Sequence, residues 1–147
     1  MKFILSLHPG MQLIAILLAY YAGYLGLQRA RSLHFGRQVV FPRKRHALTG
    51  AIALLVLLGG FFGGFITASL FLQGHAHDGT DLHKSVALII LPLLVLGLAT
   101  GYYIYKHPGK QRIFSIIHGL NNLSILILAL LQIYSGWHKY QAHVLGG

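Results

Sequence analysis

Residues 82–105, LHKSVALIILPLLVLGLATGYYIY, decide how this chain folds. From position 86 to position 105 no side chain carries a charge, and apolar residues follow one another without the alternation of a half-buried strand. At about 1.5 Å per residue, such a helix crosses a hydrocarbon core of roughly 30 Å. Three comparable apolar stretches run over 9–27, 47–72 and 113–137. Inside lipid a chain must satisfy its own backbone hydrogen bonds, which helices do segment by segment. The connections at 28–46, 73–81 and 106–112 are short and force neighbouring spans to be antiparallel. The expectation is an all-α, four-helix transmembrane bundle of up-down-up-down topology, a single domain over 1–147. Pro9 suits a first helical turn, and Pro92 is expected to bend the third helix.

Composition agrees with this reading and removes several chemistries. The chain is 55% hydrophobic and 10% charged, against roughly 25% charged residues in soluble domains. It has no cysteine, which excludes disulfides, thiolate metal sites, iron–sulfur clusters and thioether-linked haem. Asp78 and Asp81 are its two carboxylates, a poor supply for paired acid–base catalysis. Ten histidines are the main ligand-bearing side chains. The first span reads as a retained helix and not a cleaved signal, because Tyr20, Tyr21 and Tyr24 stand where small cleavage-site residues belong.

The formal charge of +10 is a topology signal and does not point to nucleic acid. Arg29, Arg31, Arg37, Arg43, Lys44 and Arg45 surround the first connection, and Lys106, Lys110 and Arg112 surround the third. Both connections fall on one membrane face, leaving Lys2, Lys84 and Lys139 for the other. The positive-inside tendency places the nine-charge face in the cytoplasm and both termini on the non-cytoplasmic side. Tyr102, Tyr103, Tyr105, Tyr134 and Trp137 lie near helix ends, as interfacial aromatics do. The basic face also suits lipid headgroups, an anionic donor or an acidic redox partner.

Histidines stand at or near the start of all four spans: His8, His46, His83 and His118, separated by 38, 37 and 35 residues. Spans one and three are parallel, so His8 and His83 share one depth. Spans two and four run the other way, so His46 and His118 share another. These are the diagonal pairs of a four-helix bundle, and imidazoles facing each other there can grip a flat macrocycle from both sides. Two stacked sites follow, one per membrane half, with His118 the member deepest in its apolar run. Glycines lie farther along each helix. Gly23 and Gly26 follow His8 by 15 and 18 residues, and Gly97 and Gly101 follow His83 by 14 and 18. Gly59, Gly60, Gly63 and Gly64 follow His46 by 13 to 18, and Gly136 follows His118 by 18. They give the macrocycle bound by the other pair room against the backbone, or permit close helix packing.

With His8-Pro9-Gly10-Met11 opening the first span, Arg43-Lys44-Arg45-His46 the second, Leu82-His83-Lys84-Ser85 the third and His118-Gly119 early in the fourth, the chain resembles the cytochrome b561 superfamily. The first motif is similar to that family's His-Pro-x-x-Met signature, and the resemblance covers nearly the whole chain. It implies a four-helix core with two b-type haems, His8 and His83 ligating one and His46 and His118 the other, and transmembrane electron transfer in the manner of an oxidoreductase. Animal and plant members have six helices, and the Ser-Trp pair that often follows the third histidine is Lys84-Ser85 here. Those departures speak against ascorbate as donor and for a bacterial inner-membrane or thylakoid type.

Several readings stay open beside this one. The chain could be the membrane-anchor cytochrome subunit of a larger complex linking a quinone to an extrinsic partner, or a haem-free scaffold or ion transporter. Quinone, a small reductant and a redox protein are all candidate electron partners. His75-Ala76-His77-Asp78 with Asp81 forms a metal-like loop, or a proton-exchanging one. His107, His138 and His143 are alternative ligands, His138 being the substitute for His8. Asn121, Asn122 and Ser124 put hydrogen-bonding groups into the fourth span.

Overall fold

The computed structural model describes residues 2–34, 36, 38–71, 82–109 and 112–146. Four helices follow in order: α1 (Lys2–His34), α2 (Arg43–Phe71), α3 (Leu82–Lys106) and α4 (Arg112–Tyr140). A π-helical turn, Gln141–Leu145, closes the chain. No strand occurs among the described residues. The fold is the expected up-down-up-down bundle, and all four helices are long and apolar enough to cross a membrane. The loop carrying His75, His77, Asp78 and Asp81 lies outside the described residues, as do Arg37 and Lys110.

The helices outrun the apolar stretches at several ends. α1 begins at Lys2, so Pro9 lies inside the helix and not in its first turn. Proline removes only the donor to the Leu5 carbonyl, while continuing the helix through Phe3, Ile4, Leu5 and Leu7 satisfies the rest of an apolar segment's backbone. Arg29 and Arg31 belong to the last turns of α1, and Arg43, Lys44 and Arg45 to the first turn of α2, not to a loop. α2 starts immediately after Pro42, whose carbonyl accepts the His46 amide at 2.9 Å. The Arg43 guanidinium reaches across to the Tyr105 carbonyl at the end of α3 and lies over the Tyr105 ring, placing a cation at the negative end of that helix. These basic residues share one end of the bundle, called here the basic end.

The bundle is two hairpins. α1 packs on α2 and α3 on α4, with sparser contacts of α1 with α4 and of α2 with α3. The diagonals α1/α3 and α2/α4 make no close backbone contact among the described residues. The packed core lies mid-way along the helices: Ala15, Ile16 and Ala19 of α1, Ala53, Leu54 and Leu57 of α2, Ile90 and Leu94 of α3, and Ile125 and Ala129 of α4. Small side chains there bring helices together. Large apolar residues such as Leu17, Ile66, Leu88 and Leu123 face outward, an arrangement suited to hydrocarbon and costly in water. Tyr20 joins the hairpins, its hydroxyl donating to the Leu126 carbonyl at 2.8 Å.

Ala53 is fully buried in this waist. Ala53→Leu is expected to lower thermal stability in detergent by about 1–3 kcal/mol, the cost of overpacking. Leu17→Ala on the lipid face should cost far less, and equal losses in the two unfolding curves would contradict the packing described here.

Candidate functional site

In each helix a histidine and a glycine lie 18 residues apart: His8 and Gly26, His46 and Gly64, His83 and Gly101, His118 and Gly136. Eighteen residues make five turns and about 27 Å, so both fall on the same helix face near opposite ends. When two such helices run antiparallel, each histidine comes level with its neighbour's glycine. That occurs four times. A Cβ built on Gly64 would stand 2.7 Å from His8 Cε1, and one on Gly26 3.2 Å from His46 Cε1. In the second hairpin, a Cβ on Gly136 would stand 3.2 Å from His83 Cε1, and one on Gly101 3.0 Å from His118 Cε1. Each imidazole therefore lies against a glycine, where an added Cβ would crowd the ring, most severely at Gly64. The sequence offers these glycines as room for a macrocycle or as points of close helix packing; in the structure each has a histidine ring against it.

The missing side chain also bares the carbonyl four residues back. His46 Nδ1 donates to the Ala22 carbonyl at 2.9 Å. His8 hydrogen-bonds the backbone of Gly60, and His118 that of Gly97. These are the positions four before Gly26, Gly64 and Gly101. In the second hairpin a hydroxyl joins in: Ser135 Oγ stands 3.1 Å from His83 Nδ1, and Thr100 Oγ1 3.0 Å from His118 Nδ1. A proton held at Nδ1 leaves the lone pair at Nε2.

With their edges seated this way, the rings meet across the diagonals. His8 and His83 have ring centroids 6.5 Å apart with planes at 84°, and His46 and His118 have centroids 6.2 Å apart with planes at 82°. Both expected pairs are thus brought together, the second at the basic end. His138 and His107 lie apart from these pairs. His138 is exposed and packs edge-on against Tyr134, at 4.8 Å between centroids, while His8 is the ring that faces His83. His107 stacks on Tyr103 at the surface. The side chain of His143 is outside the described residues. Among the described residues no group of three or more His, Cys, Asp or Glu side chains gathers in a metal-binding cluster.

Three residues at the site were missed in the sequence: Gln12, Thr100 and Ser135. Gln12 occupies the space a side chain on Gly60 would take, and its amide donates to the Val56 carbonyl at 3.3 Å. Asn121 does the same over Gly97, donating to the Leu93 carbonyl at 2.9 Å, the interhelical bond expected of it. The signal for Thr100 and Ser135 was available: each immediately precedes the glycine 18 residues beyond a histidine.

Comparison with protein-family models, curated proteins and solved structures finds no match for the chain.

Gly64→Ala is expected to lower the thermal midpoint in detergent, because the added methyl falls well inside the ordinary 3.5–4 Å contact distance from His8. Gly59→Ala, where a Cβ meets nothing within 4 Å, should leave the midpoint unchanged or raise it through helix propensity worth up to about 1 kcal/mol. Identical responses would show that the notch at Gly64 is not tight.

Proposed function

We propose that this protein carries electrons across a membrane, with two b-type haems as cofactors, one held by His8 and His83 and one by His46 and His118. The observation that carries the reading is the facing of the two imidazole pairs across the diagonals, at 6.5 and 6.2 Å between ring centres. Two metal–imidazole bonds of about 2.0–2.1 Å, plus about 1.1 Å from nitrogen to ring centre on each side, put ring centres roughly 6 Å apart. The donor set fits as well: four imidazoles, no thiolate, and Nδ1 engaged so that Nε2 serves as ligand. Haem held there would supply a one-electron ferric–ferrous change, with the two imidazoles of a pair as its protein ligands.

The chain's own contribution is orientation and exclusion. Gly26, Gly64, Gly101 and Gly136 seat the rings, and the bonds at Nδ1 restrain them from turning about Cβ–Cγ. The apolar waist separates the two histidine layers and keeps water from running between the faces. The order of histidines and the four-helix bundle are similar to those of the cytochrome b561 superfamily, and we assign the chain to that type of cytochrome. The basic end, with Arg29, Arg31, Arg43, Lys44, Arg45, Lys106 and Arg112, is cytoplasmic in this reading. The termini are then on the other side of a bacterial inner membrane or a thylakoid membrane. Lipid surrounds the bundle, and a quinone, a small reductant or a redox protein meets it at each face.

Purified protein should show a reduced b-type spectrum and about two haems per chain. His118→Ala should remove about half of that haem, and His8→Ala the other half in a separate preparation. Colourless protein from cells supplied with ample haem overturns the reading in favour of an ion-binding or scaffold role. The near-perpendicular ring planes add a second test. Rings at right angles split the iron dxz and dyz orbitals in opposing senses, so each ferric site should give a strongly anisotropic low-spin paramagnetic resonance signal. The rhombic signal of parallel rings would contradict the geometry.

A further inference from the structure

Thr100 and Ser135 occupy equivalent places in α3 and α4, each one residue before the glycine that faces a histidine. Both are buried. We propose that they are positioning residues, one for each histidine pair, which hold His118 and His83 with the proton on Nδ1 and the lone pair on Nε2, and so set the reduction preference of each pair's metal. The proposal rests on the haem reading above.

The direction of the protons follows from counting them. A hydroxyl has one hydrogen and two lone pairs. Thr100 Oγ1 donates to the Leu96 carbonyl at 2.7 Å, and Ser135 Oγ to the Leu131 carbonyl at 2.8 Å. With that hydrogen spent within its own helix, each hydroxyl presents only lone pairs to the ring beside it. His118 at 3.0 Å and His83 at 3.1 Å must then donate from Nδ1. Each chain of ring N–H, hydroxyl and carbonyl polarises in one sense and draws the imidazole toward imidazolate character, which favours the ferric state of a bound iron.

Two other accounts explain less. Serine and threonine in membrane helices commonly bond the carbonyl four residues back, with no role beyond satisfying themselves. That account gives no reason for two such hydroxyls at matching positions, both within 3.1 Å of a facing Nδ1. The Asn122 amide also approaches His118, with Nδ2 at 3.2 Å from Nδ1 and 3.5 Å from Nε2. A donor aligned with the Nδ1 lone pair would be much nearer one ring nitrogen than the other. One of that amide's two hydrogens goes to the His118 carbonyl at 2.7 Å, and the Gly97 backbone adds an acceptor at the ring that a protonated Nδ1 satisfies. The first hairpin has no counterpart hydroxyl: Leu25 precedes Gly26 and Gly63 precedes Gly64, so His46 and His8 rest on the backbone. Each pair thus includes one histidine, His118 or His83, that has a removable hydroxyl at Nδ1, in the case of His118 beside the Gly97 backbone.

The test is potentiometric titration of the haem-loaded full chain. Haem content of the unmodified protein is measured first, and absence of haem there overturns this proposal together with the reading it rests on. With haem present, Thr100→Val, which keeps shape but loses the acceptor, should raise the midpoint of one haem and leave the other. Ser135→Ala should raise the other haem and leave the first. The expected size is on the order of a tenfold change in ferric–ferrous preference, about 59 mV for a one-electron couple. Thr100→Ser should restore the original value. Unmoved midpoints at full haem content, or the same haem moving in both variants, overturn the proposal. If Thr100→Val loses haem altogether, Thr100→Ser decides: retained haem with the original midpoint supports the hydroxyl's role, and loss there too assigns the site to packing of the threonine methyl.

Discussion

Everything at the two ends of this bundle depends on an imidazole edge lying against a helix that has no side chain at the point of contact. An added methyl at Gly64, Gly101, Gly26 or Gly136 would stand between 2.7 and 3.2 Å from a ring carbon. Closing that notch would tip the ring out of its seat and lift Nδ1 away from its acceptors. The same missing side chain therefore does two things: it admits the ring, and it bares the carbonyl that orients it. Because each helix carries both a histidine and a glycine five turns apart, one hairpin supplies two seated rings without help from the other. The pairing of rings across the bundle is then a matter of how two finished hairpins dock.

Lipid changes what counts as a sound interior. Apolar side chains gain nothing from association in hydrocarbon, so packing and hydrogen bonds must hold the hairpins together. The alanine-rich waist permits close approach, while Gln12, Tyr20 and Asn121 spend their donors on carbonyls of neighbouring helices. Gln12 and Asn121 do so by passing over Gly60 and Gly97, the same device that seats the histidines, repeated one turn closer to the middle. Among the described residues, the buried acceptors Asn121 Oδ1 and Gln132 Oε1 have no hydrogen-bond partner. Both belong to amides whose donors are used, so their cost is the desolvation of a single oxygen.

The likeness of the hairpins is close but not complete. His8 and His46 rest on main-chain carbonyls, whereas His83 and His118 also meet hydroxyls. A carbonyl acceptor is always present and cannot be retuned by substitution, but a hydroxyl can be gained or lost at one codon. Each pair thus has a removable hydroxyl at one of its two histidines. The basic end adds an electrostatic difference that the ring geometry lacks, since Arg29, Arg31, Arg43, Lys44, Arg45, Lys106 and Arg112 lie at that end and Lys2, Lys84 and Lys139 at the other.

The amino-acid sequence by itself determined the number of helices, their alternation in direction and the depth of each histidine, because span length and hydrophobicity are local properties and antiparallel order follows from short connections. His8 with His83 and His46 with His118 were legible for that reason. Helix ends were not: Pro9 and the arginines at 29 and 31 read as boundaries, yet the helix continued through them because an unbroken helix satisfies more carbonyls than it loses, and α2 began at Arg43, ahead of its apolar stretch. Nor could the sequence say what the glycines admit, since 18-residue spacing marks a face without naming the neighbour opposite. Only tertiary structure decided that each glycine receives an imidazole, and that Thr100 and Ser135 turn toward one. Contacts between helices depend on rotation about their long axes, and that rotation is set by the partner helix and not by the helix's own residues.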